Sequence, residues 1–426
     1  MRKIENFLEK FLMPFASLIS NNLVINSIKD GMMQILPLLL VGSIILVITN
    51  FPYIEVIFPT VDLWAIFGKG FEATMGIAAL IASFTIAFNY AERLKSNGVY
   101  GAITSVVSYL VLTDFFVTAN GEVVGGVISV SAFGSRSLFT VIFVALISVR
   151  IYAWFESKKW TIKMPDQVPA NVSSSFSSIL PLTFVVLIML ALRAGFAATD
   201  FGNIQNFIFE AVTFPLMGLA NFKYFIVVMN MLTMVFWFFG LHGGMMVQAI
   251  FGPVLNSMTI ANAEAFAANL ELPYITSYVF NNSYGTLAAA GVLAAIVAAI
   301  IVGKSKTTKS VTKISLIPAI FGIQEPFHFG FPTFMNPIML IPYILVPGVT
   351  SFIGYTLIEL NIAPQPVIDV PWTTPILIQG FISTNFNVMG AIVQLILFAL
   401  SVAMYIPFIR IADRMNLRKE ETETES

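Results

Sequence analysis

Between Ile314 and Ile358 the chain carries one acidic or basic side chain, Glu325, with His328 three positions after it. From Tyr224 to Ala263 it carries one, His242, set between Gly240 and Gly243-Gly244. A carboxylate and an imidazole in apolar surroundings suit two tasks. Both hold hydroxyl groups firmly, because charged and dipolar partners bond strongly at low dielectric. The carboxylate can also accept a hydroxyl proton while that oxygen attacks an electrophile. Trp237 and Trp372 offer flat apolar faces suited to a sugar ring, and Asn281, Asn282, Gln324, Asn385 and Asn387 offer amides for further hydroxyls. Each residue also has a plainer reading. Glu325 could pair near the interface or cap a half-helix, and His242 could bond a carbonyl in the core. The tryptophans could belong to the aromatic belt at membrane boundaries. For His328 the plain structural reading is preferred, since no second pattern supports it.

The setting of these residues follows from composition. The 426 residues are 57% hydrophobic and 11% charged, with a mean hydropathy of +0.86. A soluble domain carries roughly a quarter charged residues. This chain could not cover its surface with water-compatible groups, so its largest surface must face lipid. There an ionised side chain at the bilayer centre costs at least ~2.5–3.5 kcal/mol, so Glu325 and His242 each need a compensating partner. The net charge of −1 gives no hint of a nucleic-acid partner. The chain has no cysteine and two histidines, which removes disulfides, thiolate metal sites and a cysteine nucleophile. Neither a metal nor a cofactor is expected.

A helix needs about 20 apolar residues to cross a bilayer. Nine such spans lie near Gly31–Phe51, Ala73–Tyr90, Val99–Thr118, Ser137–Phe155, Ile179–Thr199, Tyr224–Leu241, Leu287–Gly303, Pro337–Ile358 and Val388–Arg410. Basic residues collect at the N-terminus, at Arg93 and Lys95, from Arg150 to Lys163, from Lys304 to Lys313, and from Arg410 to Lys419. Such clusters mark the cytoplasmic side. The parity they impose requires one further crossing hidden in Gly243–Tyr284. The expected fold is therefore an all-α polytopic membrane protein of about ten transmembrane helices, with both termini cytoplasmic. Met1–Asn22 has apolar residues at helical spacing broken by Glu5, Glu9 and Lys10. It reads as an interfacial amphipathic helix, or one packed on a partner, and not as a signal peptide.

Two stretches do not read as spans. Ile314–Pro332 holds Pro318, Gly322, Glu325-Pro326, Gly330 and Pro332, and Gln365–Phe381 is rich in proline and polar residues. Proline removes a helical donor and glycine loosens the backbone. Both segments are expected to dip into the membrane and return, which is tolerated only inside protein or beside a watery cavity. Residues 1–200 form an N-terminal transmembrane half and 201–222 an interfacial linker helix. Residues 223–411 form a C-terminal half with the hairpins, and 412–426 a cytoplasmic tail.

Four motifs then converge on one family. Gln324-Glu325-Pro326, with Phe329-Gly330, Pro332 and Asn336-Pro337, resembles the Asn-Glu-Pro hairpin of the phosphotransferase enzyme IIC of the lactose/cellobiose/diacetylchitobiose type. Lys163-Met164-Pro165-Asp166-Gln167-Val168-Pro169, through Ser175-Phe176 to Pro181, resembles that family's central loop. Trp237 with Gly240-Leu241-His242-Gly243 resembles its histidine loop. Pro371-Trp372-Thr373-Thr374-Pro375, with Gly380 and Thr384, resembles its late hairpin. The four arrive in the family's order across nearly the whole chain.

The resemblance implies a bacterial cell-membrane permease subunit acting as a homodimer, with the N-terminal half as dimer contact. Its C-terminal half would hold a disaccharide, β-linked and similar to cellobiose, chitobiose or lactose, between the hairpins. Glu325 and His242 would hold the C6 hydroxyl. A phosphocysteine on a separate cytosolic enzyme IIB, charged upstream by IIA, would phosphorylate it. The missing cysteine fits a donor on another polypeptide. Two positions depart from the family pattern: Gln324 stands for the usual Asn, and Asn385 stands where glycine and then an acid are frequent. The alternative function is an ion-coupled sugar symporter with Glu325 as proton carrier. A membrane sensor would leave Glu325 and His242 unexplained.

Overall fold

The computed structural model describes residues 21–49, 61–119, 122–165, 167–238, 243–285, 291–331 and 336–424. The expected N-terminal amphipathic helix lies outside them as far as residue 20. The first helix, α1 (Leu23–Thr49), starts at Asn22, whose Oδ1 accepts the N–H groups of Val24 and Ile25 at 2.9 and 3.0 Å. After α2 (Leu63–Glu72), three apolar helices follow: α3 (Ala78–Arg93), α4 (Gly98–Leu112) and α5 (Leu138–Ser157). The long α6 (Ala170–Ala197) completes the N-terminal bundle. It begins earlier than its apolar run alone suggests, because its first turns are serine-rich and stay helical by bonding back to their own carbonyls.

The third expected span is shorter than its hydropathy implied. Helix α4 stops at Leu112, where Arg193 of α6 donates to the carbonyls of Val111 and Thr113 at 2.8 and 2.6 Å and to Asp114 at 2.9 Å. Residues beyond it form a two-stranded antiparallel hairpin instead, β1 (Phe116–Ala119) with β2 (Glu122–Gly125). Its signal was present in the sequence, since β-branched residues flank Asn120-Gly121, a pair favoured in tight hairpins.

The linker expected over 201–222 is helical: α7 (Ile204–Ile208), a π turn over Phe209–Thr213, and α8 (Phe214–Ala220). It meets the next helix, α9 (Lys223–Phe238), at a bend of 77°. Within Gly243–Tyr284, where a hidden crossing is expected, α10 (Gly243–Ala267) is long and apolar enough to be one and keeps Pro253 inside the helix. Then comes α11 (Tyr278–Tyr284), and α12 (Val292–Val302) is the described helix of the expected span near Leu287–Gly303. Next come α13 (Lys306–Ile320), α14 (Glu325–Gly330), α15 (Pro337–Glu359), α16 (Ile378–Ser383) and α17 (Val388–Thr424). Among the described residues, seven helical stretches are long and apolar enough to cross a membrane, and the bent pair makes up to eight. Ten are reached by also counting the shorter apolar helices Gly98–Leu112 and Val292–Val302.

The two halves meet along α10. Its Val254, Met258, Ile260 and Ala263 join the N-terminal core, while Val247, Ala249 and Leu255 join a C-terminal core with Phe280, Tyr284 and Leu397. At the far end of α10, Glu264 accepts the Ser135 N–H at 3.1 Å and the Ser135 hydroxyl at 2.6 Å. A carboxylate in so apolar a helix is tolerated because its oxygens are bonded.

The stretch read as a tail after residue 411 is a continuation of α17, and it holds the first hairpin in place. Asp413 accepts the N–H groups of Lys304 and Ser305, at 2.8 and 3.1 Å, and the Ser305 hydroxyl at 2.8 Å. Glu420 accepts the N–H groups of Lys306 and Thr307, at 3.0 and 2.8 Å. Two carboxylates thus cover the first unbonded donors of α13, where a negative charge is also favoured by the helix dipole. On the outward face of α13, Lys306, Lys309 and Lys313 give way to Ile314 and Ile317. That is the pattern of a helix leaving water for lipid.

Candidate functional site

Helix α13 ends at Ile320, two residues past Pro318, and the chain turns at Gly322, whose φ is +78°. The turn needs glycine twice over. The left-handed backbone strains other residues, and a Cβ there would lie 3.1 Å from the carbonyl oxygen of Trp372 and 3.2 Å from its ring. The backbone of Glu325 opens α14 three residues later, with Gln324 at the N-cap and half-buried. The Gln324 carbonyl accepts the N–H groups of Phe327 and His328 at 3.2 and 3.1 Å. So short a helix has little stability of its own, and packing supplies it: Phe327, His328 and Phe331 are buried.

His328 is the packing key. Its imidazole stacks on Trp237, with ring centroids 4.5 Å apart and planes 9° from parallel. Tyr343 of α15 meets its edge at 5.4 Å, and Tyr405 of α17 meets Tyr343 at 6.0 Å. This aromatic column ties the end of α9, the Glu325 hairpin, α15 and α17 into one unit. One face of Trp237 is taken by His328, and the tryptophan is only 8% exposed. Trp372, by contrast, is 46% exposed and rests on the turn ahead of Gln324. Trp237, Gln324, the start of α14 and Trp372 are therefore neighbours through His328 and Gly322. His242 lies outside the described residues, between α9 and α10.

A second group gathers around α11 and α16. Asn281 and Asn282 sit on α11, and the Oδ1 of Asn281 is buried without a hydrogen-bond donor. An unsatisfied amide oxygen in the interior is costly, and a hydroxyl-bearing ligand would relieve it. The two half-helices are joined by the Ser283 and Ser383 hydroxyls, 2.9 Å apart. Asn385 follows α16 with φ +54°, and its Oδ1 is likewise buried and without a donor. Glycine adopts that backbone freely, and Asn tolerates it best among the rest. Asn387 differs. Its Oδ1 accepts the Met389 N–H at 2.9 Å and so caps α17. It lines a recess of about 650 Å³ with Glu359, Asn361 and Gln365, which includes none of Trp237, Gln324 or Trp372.

Sequence reasoning missed two residues here. Gln394 is fully buried on α17 and bonds three backbone groups of the half-helices. Nothing marks it in the sequence, because an amide within an apolar helix looks the same whether or not it has a task. Asp369 is 4% exposed in the irregular run between α15 and α16. Among the described residues no group of three or more His, Cys, Asp or Glu is placed to hold a metal.

Trp237 packs on His328 and Trp372 on Gly322, at either end of the Glu325 segment, and the orphaned amide oxygens of Asn281 and Asn385 belong to the second group around α11 and α16. Comparison with known proteins gives the family. The chain is 32% identical over 423 residues to the oligo-beta-mannoside-specific EIIC component of Bacillus subtilis (strain 168), covering 98% of this chain and 96% of that one. It is 29% identical to the lactose-specific EIICB component of Staphylococcus epidermidis, covering 99% of this chain and 72% of the longer protein. In structure it matches the transporter ChbC, the IIC component from the N,N'-diacetylchitobiose-specific phosphotransferase system, with a TM-score of 0.93 and 33% identity. That match covers 97% of this chain and 99% of ChbC. The family described as "Phosphotransferase system, EIIC" matches residues 29–347, and the chain is a multi-pass membrane protein of that family.

Proposed function

We propose that this protein binds a β-linked disaccharide in its C-terminal half, carries it across the bacterial cell membrane, and presents its C6 hydroxyl for phosphorylation. The observation that carries this reading is the meeting of Trp372 with the turn that leads into Glu325. It sets a half-exposed ring beside an acidic hairpin, the pairing that holds a sugar face and orients one hydroxyl. The sugars named in the relatives, an oligo-β-mannoside, lactose and diacetylchitobiose, support the β linkage.

In the proposed mechanism Glu325 accepts the hydroxyl proton as the C6 oxygen attacks phosphorus, and His242 holds the same hydroxyl. The phosphoryl group leaves a phosphocysteine of a cytosolic IIB protein, itself recharged by IIA. The chain has no cysteine of its own to carry it. A relative that is an EIICB protein, longer than this chain, supports a donor working directly on the C part. The sugar phosphate is then trapped, because its charge opposes return through the bilayer. Family membership favours this reading over the ion-coupled symporter.

The basic stretches from Lys304 to Lys313 and from Arg410 onward would face the cytoplasm, with both termini. The bonds from Asp413 and Glu420 to the start of α13 support one side for both stretches. The Glu325 hairpin would then be reached by a soluble donor. A homodimer would form through the N-terminal half, where α6 exposes Leu187, Ile188 and Leu190. Each is apolar enough to meet a second copy.

Glu325→Gln should insert normally and lose sugar phosphorylation by at least 10²-fold, the lower range for general-base loss. Sugar-phosphate formation within threefold of wild type would reject the assignment. His242→Ala should weaken sugar binding about tenfold, on the order of one hydrogen bond at ~1.4 kcal/mol; an unchanged calorimetric affinity would make His242 structural. For orientation the reporter is Ser310, which is exposed, and not Ser305, which is buried against Asp413. A single cysteine at Ser310 should react with a membrane-impermeant thiol reagent only once the cytoplasmic face is open, and labelling in intact cells would reverse the topology.

A further inference from the structure

The late hairpin has no long helix of its own to hold it, yet it carries Trp372 and Asn385. Beside the Ser283–Ser383 contact, one buried side chain bonds its backbone three times. Gln394 lies between the start of α16 and the end of α11. Its Oε1 accepts the N–H groups of Leu377 and Gly380, both at 2.8 Å, and its Nε2 donates to the Ser283 carbonyl at 2.7 Å. The first two are donors that a helix start leaves unbonded, and the third is a carbonyl that a helix end leaves unbonded. One amide therefore closes two broken helix ends at once. An amide does so at any pH, since the task requires an acceptor and a donor on one planar group.

The surroundings are shaped to this contact. A Cβ at Gly380 would lie 2.4 Å from the Gln394 oxygen, and one at Gly390 would lie 2.4 Å from the Gly380 carbonyl. Leu377 adopts φ +72° and ψ −50°, a backbone that strains a residue with a side chain and persists where its surroundings hold it. The bond from its N–H to Gln394 is one such constraint. From Leu377 the chain leads back through Pro375 to Trp372, which rests on Gly322 and so on the turn into Glu325. Hence the place of Trp372 relative to the acidic hairpin is set from α17, through Gln394.

We propose that Gln394 is a positioning residue for sugar recognition: it touches no substrate, but it fixes the late hairpin against the Glu325 hairpin. Losing it frees Trp372 and Asn385 to wander, weakening sugar capture while leaving the general-base chemistry at Glu325 intact. This rests on the proposed sugar site, but the hairpin geometry can be read without any sugar.

The test uses the cysteine-free chain. Spin labels at Ile323→Cys and Thr374→Cys report the separation of the two hairpins, and calorimetry with cellobiose and with diacetylchitobiose reports binding. Gln394→Leu should broaden the label separation and raise KM for phosphorylation at least tenfold, with kcat at saturating sugar within about threefold. Gln394→Glu gives the sharper reading. Its protonated carboxyl is isosteric with the amide and offers the same acceptor and donor. Its ionised form has no donor and sets a negative charge against the Ser283 carbonyl. Label separation in Gln394→Glu should match wild type at pH 5.5 and broaden by pH 8, while wild type stays constant. A variant that keeps one narrow separation across that range overturns the proposal, as does a folded Gln394→Leu with wild-type separation and KM. If Gln394→Leu does not fold, the pH series on Gln394→Glu decides alone. Phosphorylation surviving Glu325→Gln would remove the chemical assignment, but it would leave the label result standing, so the two failures are distinguishable.

Discussion

Backbone that breaks inside a membrane must find every hydrogen bond within the protein, because lipid offers none. The C-terminal half is arranged around that demand. It contains two half-helices, α11 and α16, and a helical hairpin, α13–α14, each with ends that ordinary helices would leave to water. Several of their exposed donors and acceptors are met from one element. Helix α17 supplies Gln394 to the ends of α11 and α16, and further along it supplies Asp413 and Glu420 to the start of α13. Both hairpins are thus pinned to the same long helix, which gives them a common frame of reference.

That frame explains how a carboxylate can be kept at a hairpin tip. The tip is not stabilised by helix propensity, as six residues form too few bonds. It is stabilised by Phe327 and His328, packed beneath Trp237 and against Tyr343. His328, which sequence reasoning left as a structural residue, is the stacked centre of that packing. The plain reading is supported by geometry.

Much of this was legible beforehand, and the reasons differ from element to element. Most of the expected long spans coincide with helices long and apolar enough to cross a membrane, because a helix facing lipid has only one compositional solution. Charge parity asked for a further crossing within Gly243–Tyr284, and Gly243–Ala267 is a helix long and apolar enough to be one, although Pro253 and the asparagines obscured its hydropathy. The two broken segments were flagged by their prolines and glycines, and Gly322 earns its place by backbone angle and by contact with Trp372. The early end of α4 was not legible, since it depends on Arg193 arriving from a helix 80 residues later. Gln394 was invisible for the same reason: its partners are 14, 17 and 111 residues away. The amides also divide in a way no pattern could predict, with Asn281 and Asn385 presenting unbonded oxygens and Asn387 spent on a cap.

The central claim is that transport and phosphorylation are one process, with the donor on a separate chain. It is tested most directly in sealed vesicles carrying this protein, supplied on the cytoplasmic face with phosphoenolpyruvate and the soluble phosphotransferase proteins of its host. Radiolabelled β-linked disaccharide should be recovered inside as sugar phosphate, only when the donor proteins are present, and regardless of whether the proton gradient is collapsed. Free sugar concentrated inside donor-free vesicles, and lost on adding an uncoupler, would contradict the account and make Glu325 a proton carrier.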